Sequence, residues 1–275
     1  MANKKNETAE ITVVQLQQGQ VTFCVLGTSP LIYNAMSEKV RQDLLCPPPK
    51  KNAIERATTF KHEPLKEYRN SVYRTRSPDA PTALAFPAAA FKKALASTAL
   101  DIPGAARTEI ARLVWATGDA VEVYGTPQLL CSVVRSSDIN RTPDIRTRAI
   151  LPEWACKVTF TFTRPNLKDQ TIANLFAAAG MIRGVGDWRQ EKGSGNYGQF
   201  TLVGADDPTW TRIVADQQRA QQQAALDEPG YYDSESASLI EWFTAEKARR
   251  EGTSSQPSTA NGKPAKRGKV TTAEA

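Results

Sequence analysis

Residues 154–163 read WACKVTFTFT, and in this stretch large apolar side chains alternate with small or polar ones. A period of two is typical of a β-strand that turns one face to the core and the other to water. Apolar residues then recur at helical spacing across 167–179, and Gly180 is expected directly after that helix. Residues 199–203 (QFTLV) indicate a further strand. The second half of the predicted domain is therefore a strand, a helix and a strand.

The first half of the chain contains the same kinds of element. Residues 21–27 (VTFCVLG) are β-branched and aromatic, and they predict a strand. Residues 88–97 (AAAFKKALAS) predict a helix by their high helix propensity. Two β-rich runs within 112–124 flank Gly118 and Asp119 and predict a hairpin. Without insertions, the order is strand, helix, strand, strand, helix, strand, which is typical of an α+β, ferredoxin-like (RRM-like) fold.

Composition divides the chain into a central domain and flanking segments. Both ends are polar and lack the apolar content that ordering needs. A polar, basic stretch interrupted by prolines looks like an insertion in the domain, and two helical patterns follow the last strand. The predicted segments are a disordered N-terminus at 1–10, a ferredoxin-type domain at 11–204 with an insertion at about 33–84, a helical extension at 205–251 and a disordered basic tail at 252–275.

The composition also excludes several classes of protein. Four cysteines form no CxxC pair and His62 is the only histidine, so we expect reduced thiols, no metal site and no cofactor. The absence of a run of about 18 apolar residues predicts a cytoplasmic protein with no membrane partner. The net charge of +6 and the pI near 9.1 favour an acidic partner such as a phosphate backbone. The cysteines are Cys24, Cys46, Cys131 and Cys156.

A glycine-rich segment, 183–200 (RGVGDWRQEKGSGNYGQF), lies between the second helix and the last strand. Such glycines let backbone amides approach a phosphate or a base closely. The segment lacks the GK[ST] of a Walker loop and does not begin a helix as a dinucleotide fingerprint does. The alternative is a glycine-rich hairpin whose tryptophan packs on the sheet. The candidate contact residues are Arg183, Gly184, Gly186, Trp188, Arg189, Lys192, Gly193, Gly195 and Tyr197, with the two aromatic residues as base stackers.

Two motifs resemble the RAMP superfamily, which includes the backbone subunits of CRISPR complexes. Gly184-Val-Gly186 and Gly193-Ser-Gly195 match its glycine-rich motif before the last strand. Residues 85–95 (AFPAAAFKKAL) are similar to the start of its first helix, with alanine where the family has serine. The resemblance covers about residues 11–204.

The resemblance implies a protein that binds single-stranded RNA or DNA. Copies of it would line up along the strand as a homo-oligomer, alone or with other subunits of a complex. It implies that the start of the first helix and the glycine-rich loop lie near the nucleic-acid backbone. Because alanine removes the serine hydroxyls, contacts from this helix would depend on amides and on Lys92 and Lys93, which are otherwise a solvated helix face.

Two further segments carry candidate contacts. Residues 135–148 are interrupted by Pro143 and predict a loop whose arginines suit phosphate binding. Within the insertion, Tyr68 and Tyr73 either stack on bases or pack on the body of the protein. The arginines of the predicted loop are Arg135, Arg141, Arg146 and Arg148.

We therefore predict a non-catalytic protein that binds single strands and needs no cofactor. A first rival function is that of a RAMP-type endoribonuclease, with His62 as general base or with Asp187 and Glu191 as metal ligands. The alternative for the two carboxylates is loop ion pairs with the flanking Arg189 and Lys192. A second is that of a phage-type single-strand annealing protein, and a third is that of a protein-interaction scaffold. The sequence leaves the choice between RNA and DNA open.

Overall fold

The computed structural model describes residues 15–47, 49, 60–135, 142–191 and 195–254. The predictions of disorder at residues 1–10 and beyond residue 254 concern parts of the chain outside these ranges. No helix in the described ranges is long and apolar enough to cross a membrane.

The described residues form an α+β structure. The strands are β1 (Gln17–Gly27), β2 (Leu31–Ile32), β3 (Tyr73–Arg74), β4 (Leu84–Pro87), β5 (Val114–Ala116), β6 (Ala120–Tyr124), β7 (Gln128–Arg135), β8 (Pro143–Leu151), β9 (Ala155–Arg164) and β10 (Phe200–Val203). The helices are α1 (Glu38–Leu45), α2 (Pro64–Asn70), α3 (Ala88–Thr98), α4 (Arg107–Leu113), α5 (Asp169–Ile182), α6 (Pro208–Asp216), α7 (Arg219–Asp227) and α8 (Ser234–Ser254).

The main sheet is antiparallel and has the order β10-β1-β9-β6-β4-β3, with β5 also paired to β9. Its core face is aromatic because the alternation of β9 turns Phe160 toward the helices. Phe91 of α3 and Phe176 of α5 are fully buried, and their rings meet edge to face, 6.3 Å between centroids. Phe176 also contacts Phe160 at 4.8 Å. The predicted strand at 154–163 and both predicted core helices are therefore confirmed as elements.

Two local predictions in this sheet are wrong. Residues 112–124 form no hairpin, because β5 and β6 both pair with β9 and are successive parts of one interrupted strand. Gly180 lies inside α5 rather than after it, and a side chain there would collide with the backbone oxygen of Phe200. The residue that follows the helix in a left-handed conformation is Gly184, at φ 64°.

A smaller antiparallel sheet has the order β2-β8-β7. The arginines predicted to lie in a loop belong to it: Arg146 lies opposite Ser132, and Arg148 lies opposite Leu130. The loop prediction for 135–148 is therefore wrong for the described residues of β8. Pro143 is the first residue of that strand, a position that proline tolerates because its missing N–H breaks no inner ladder bond.

The residues after β10 pack on the body of the protein. Trp210 and Ile213 of α6 are buried against Ala155, on the face of the main sheet opposite to α3 and α5. Helix α8 contacts β7, where the hydroxyl of Ser236 accepts the N–H of Cys131 at 2.9 Å. The same helix continues to Ser254, into the predicted tail.

The described part of the insertion also packs on the body. Tyr68 of α2 is fully buried, and its hydroxyl donates to the carbonyl oxygens of Pro127 at 3.2 Å and Ala225 at 2.9 Å. Tyr73 packs edge to face on Phe86 at 5.5 Å. Packing on the body therefore accounts for Tyr68, whose ring is fully buried, whereas Tyr73 is half-buried and also lines a cleft beside β3.

Candidate nucleic-acid interface

The glycine-rich segment is held by backbone contacts within the protein. Val185 N–H donates to the carbonyl of Gly198 at 2.9 Å, and Gly198 N–H donates to the carbonyl of Pro30 at 2.8 Å. Gly198 has φ 73°, and a side chain there would collide with the carbonyl oxygen of Val185. The N–H of Gly184 is likewise bonded to the carbonyl of Ala179 at 2.9 Å. These glycines allow one part of the chain to approach another, and these amides already have acceptors in the protein.

Trp188 is an exposed aromatic residue of this segment. Its backbone has φ 50°, the one left-handed non-glycine residue in the described ranges, and 42% of the residue is exposed. The indole stacks on Tyr197, with centroids 5.7 Å apart and planes 27° apart. Tyr197 in turn packs against the buried side chains of Ile32 and Ile150. The segment therefore presents Trp188 on an aromatic support instead of burying it in the sheet.

A third aromatic residue, Tyr232, packs on the same cluster as Tyr197. Burial raises the pKa of the Tyr197 hydroxyl, and the nearby Tyr232 and Asp233 act in the same direction. The N–H of Tyr232 donates to the carbonyl of Leu129 at 3.0 Å, which fixes the segment before α8 beside β7. The sequence did not single out Tyr232, because it lies more than thirty residues beyond the glycine-rich segment and only the fold joins the two.

Arg148 links β8 to the glycine-rich segment through an ion pair with Asp187. Its side chain is only 18% exposed, and burial lowers the pKa of its guanidinium to about 10, helped by the charge of Arg146. The guanidinium therefore remains charged at neutral pH. Arg146 lies two residues earlier on the same face of β8 and is exposed. We call the surface formed by Arg146, Arg148, Trp188, Tyr197 and Tyr232 the aromatic-arginine surface.

Two other candidate arginines bind the segment to the body. Arg183 forms ion pairs with Asp101 and with Glu191, the latter at 3.7 Å, and its side chain is 16% exposed. Arg189 donates to the carbonyl of Gly186 at 2.9 Å and to Glu191 at 3.1 Å. Both guanidinium groups are thus occupied by the protein, and their contribution to a ligand would be indirect.

The remaining candidates are dispersed. Lys92 is half-buried and Lys93 exposed on α3, and Arg135 is exposed at the end of β7. Among the described contacts, none joins the two lysines to the aromatic-arginine surface. Gly195 lies against Trp188, and a side chain at position 195 would collide with the carbonyl oxygen of Trp188. Gly186 lies against Ile32. Arg141, Lys192 and Gly193 lie outside the described residues.

The residues considered for catalysis have partners within the protein. His62 lies between Glu67, at 2.9 Å from Nδ1, and Asp144, at 3.2 Å from Nε2. Asp187 is paired with Arg148, and Glu191 with Arg189. In the described ranges no three His, Cys, Asp or Glu side chains are grouped as metal ligands.

No family model and no curated protein matches the chain. The geometry of the aromatic-arginine surface is therefore the basis for assigning a function.

Proposed function

We propose that the protein binds single-stranded nucleic acid at the aromatic-arginine surface, without catalysing a reaction. The observation that carries this proposal is the presentation of Trp188: a large exposed ring in a left-handed backbone conformation, stacked on Tyr197 and close to the Arg148–Asp187 pair. A left-handed non-glycine residue costs about 1–3 kcal/mol, and residues under such strain cluster at active sites and ligand-binding sites.

The chemistry of the surface suits a single strand. A base stacked on an aromatic side chain contributes about 1–3 kcal/mol whatever its sequence, because every base has a π face. Arg146 is exposed and provides a guanidinium group that matches phosphate oxygens in pairs, while Arg148, paired with Asp187, holds the glycine-rich segment beside β8. The overall charge of +6 adds long-range attraction for a polyanion.

We also propose that the core is ferredoxin-like and related to the RAMP superfamily. The strand order β10-β1-β9-β6, with α3 and α5 together on one face, supports this proposal, because a split βαβ unit repeated twice gives such an antiparallel sheet. Assembly of several copies along the strand, alone or with other subunits, is part of the same proposal.

The direct test compares two exposed tryptophans. Trp188→Ala is expected to lower affinity for a single-stranded oligonucleotide by about 1–3 kcal/mol. Trp242→Ala is the matched control, because Trp242 is 64% exposed on α8 and outside the surface. Affinity is measured by fluorescence anisotropy, with a melting curve on each variant. Equal affinity of both variants and the parent would contradict the proposal.

A second test measures salt dependence. Each phosphate contact on a single strand is expected to give a log–log slope of about −0.7, and the exposed Arg146 is the arginine of the surface that can provide one directly. Arg146→Gln is expected to reduce the steepness of the parent's slope by about 0.7.

Incubation of labelled RNA with magnesium tests for endoribonuclease activity. Cleavage by the parent that is lost in His62→Ala would favour an enzyme over a binding protein.

A further inference from the structure

A cleft of about 750 Å³ lies at the β3 end of the main sheet as the described strands order it, between α1 and β3. It is separate from the five residues of the aromatic-arginine surface, none of which lines it. Four arginines and three carboxylates are in its lining, so the lining carries an excess of one positive charge. They are Arg41, Arg69, Arg74 and Arg76, with Glu38, Asp119 and Glu122.

Two of these arginines already have partners. Arg69 donates to the carbonyl oxygens of Leu226 at 2.9 Å and Asp227 at 2.7 Å, which ties α2 to the end of α7. Arg76 pairs with Asp119 at 3.2 Å in an ion pair whose side chains are both more than four-fifths exposed. An ion pair that is so exposed holds its two charges weakly.

The other two arginines, Arg41 on α1 and Arg74 on β3, are exposed and form no ion pair with any described residue. Glu38 and Glu122 share the cleft with them and still lie beyond ion-pair distance of both guanidinium groups. The two guanidinium groups lie on different walls of the cleft, and neither is paired with a described carboxylate. They are therefore suited to an anion with several oxygens.

The β3 side of the cleft is held by hydrogen bonds to other parts of the fold. Arg219 of α7 donates to the carbonyl oxygens of Ala80 at 2.6 Å, Ser77 at 2.7 Å and Thr82 at 2.9 Å, which holds the segment after β3. The hydroxyl of Tyr73 donates to Asn34 Oδ1 at 3.1 Å and so connects β3 to the segment before α1. These contacts hold the β3 side of the cleft and the segment that leads into α1.

The cleft is close to the aromatic-arginine surface along the chain. The carbonyl of Ile32 accepts the N–H of Asp187, the partner of Arg148, and Met36 lines the cleft. Four residues span at most about 14 Å, so Ile32, beside the glycine-rich segment, lies within that distance of Met36 in the lining of the cleft. A single extended ligand of a few nucleotides is long enough to contact both.

We propose that this cleft is a second contact for the bound strand, in which Arg41 and Arg74 hold a phosphate group. The inference rests on the proposed function, and it adds a site that the glycine-rich segment does not provide. A free phosphate compound offers the same chemistry. We assign the site to the strand because the cleft and the aromatic-arginine surface are joined by residues 32–36.

The test compares two double variants with the same change of charge. Arg41→Gln with Arg74→Gln is expected to weaken binding of a single-stranded oligonucleotide about tenfold or more, since hydrogen bonds to charged groups are among the stronger ones. The log–log salt slope should become less steep by about 1.4, for two lost phosphate contacts. Arg107→Gln with Arg112→Gln is the control, because both arginines are exposed on α4 and outside the cleft. All four positions are exposed, so melting temperatures should be unchanged.

The outcomes separate this inference from the function on which it depends. If the parent binds and Trp188→Ala weakens binding, but the cleft variant behaves like its control, the cleft assignment is wrong and the proposed function stands. If the parent binds no strand at low salt, both are wrong. Competition by inorganic pyrophosphate at matched ionic strength distinguishes a phosphate of the strand from a free phosphate compound as the ligand of the cleft. Tight binding of pyrophosphate that depends on Arg41 and Arg74 would overturn the assignment to the strand, and weak competition supports it.

Discussion

At the scale of single residues, Gln222 is the polar side chain on which the packing of α7 depends. It is fully buried, and its Oε1 accepts the N–H groups of Ala83 at 2.8 Å and Leu84 at 3.0 Å. Its Nε2 donates to the carbonyl oxygens of Val123 at 2.8 Å and Gly125 at 3.2 Å. One amide therefore joins α7 to the start of β4 and to the end of β6.

Gln222→Ala is expected to lower the free energy of unfolding by about 3 kcal/mol, because buried donors and acceptors on both strands lose their partner. Gln223→Ala is the matched control: Gln223 is exposed and bonds to Asp227 of its own helix. Its effect should be within about 0.5 kcal/mol. Urea denaturation of both variants measures the difference. Similar midpoints would show that the buried amide contributes little.

The four cysteines are also distinguished at this scale. Cys46 is exposed and Cys24 half-buried, whereas Cys131 and Cys156 are buried. Burial raises the pKa of the Cys131 and Cys156 thiols, which disfavours the reactive thiolate. The sequence predicted unpaired thiols, and it had no means of ranking their accessibility.

Iodoacetamide at neutral pH is therefore expected to modify Cys46 first in the folded protein. Cys46→Ser should remove the fast phase, and unfolding in urea should make all the thiols reactive. Mass spectrometry of peptides over time gives the order. Early modification of Cys156 would contradict the burial of β9.

At the scale of elements, the glycine-rich segment is a backbone framework that positions Trp188. Gly198→Ala is expected to destabilise the protein by about 1–3 kcal/mol, because alanine at φ 73° is strained and meets the carbonyl of Val185. Nucleic-acid affinity should fall with it, since Tyr197, the support of Trp188, is the neighbouring residue. Gly104→Ala is the control for left-handed backbone strain without a steric clash, because Gly104 has φ 83° and open space around it. Thermal melts compare the two variants. An equal fall in melting temperature would show that the contact with the carbonyl of Val185 adds nothing to the backbone strain.

Elements with local periodicity were predictable from the sequence, and those defined by distant pairing were not. The alternation at 154–163 and the helical spacing at 167–179 correspond to β9 and α5. The prediction of a hairpin at Gly118 failed because two adjacent β-rich runs look alike whether they pair with each other or with a third strand. The arginines of β8 were assigned to a loop because charge and a proline outweighed a weak alternation.

For the candidate site too, the sequence predicted residue types but not all the contacts that form in the folded chain. The sequence identified Trp188 and Tyr197 by residue type, and it identified Arg146 and Arg148 by charge. It did not predict that Arg183 would be paired with Asp101, since these residues lie 82 positions apart and meet only when the chain is folded.

At the scale of the whole molecule, the predicted extension at 205–251 is needed to complete the body. Its helices cover Ala155 on the main sheet, supply Gln222 to β4 and β6, and contact β7 through α8. A chain ending at residue 204 would expose that apolar surface and leave those backbone groups without partners.

Truncation after residue 204 is therefore expected to abolish a cooperative thermal transition, whereas truncation after residue 254 should preserve it. Circular dichroism melts and limited proteolysis of the two chains measure this. A cooperative melt of the shorter chain, near that of the parent, would contradict the assignment of these helices to the body.

The central position of β1 has a consequence for how the protein forms during synthesis. Gln17 lies opposite Arg164, and Gly27 lies opposite Phe200, so β1 leaves the ribosome well before either of the two strands that pair with it. Loop closure over such separations is slow, and at about 5–20 residues per second β1 remains unpaired for many seconds. During that interval its Val21, Phe23 and Val25 are exposed. The nascent chain is therefore expected to be a substrate for chaperones that bind extended apolar segments, and to acquire protease resistance only after β10 has emerged.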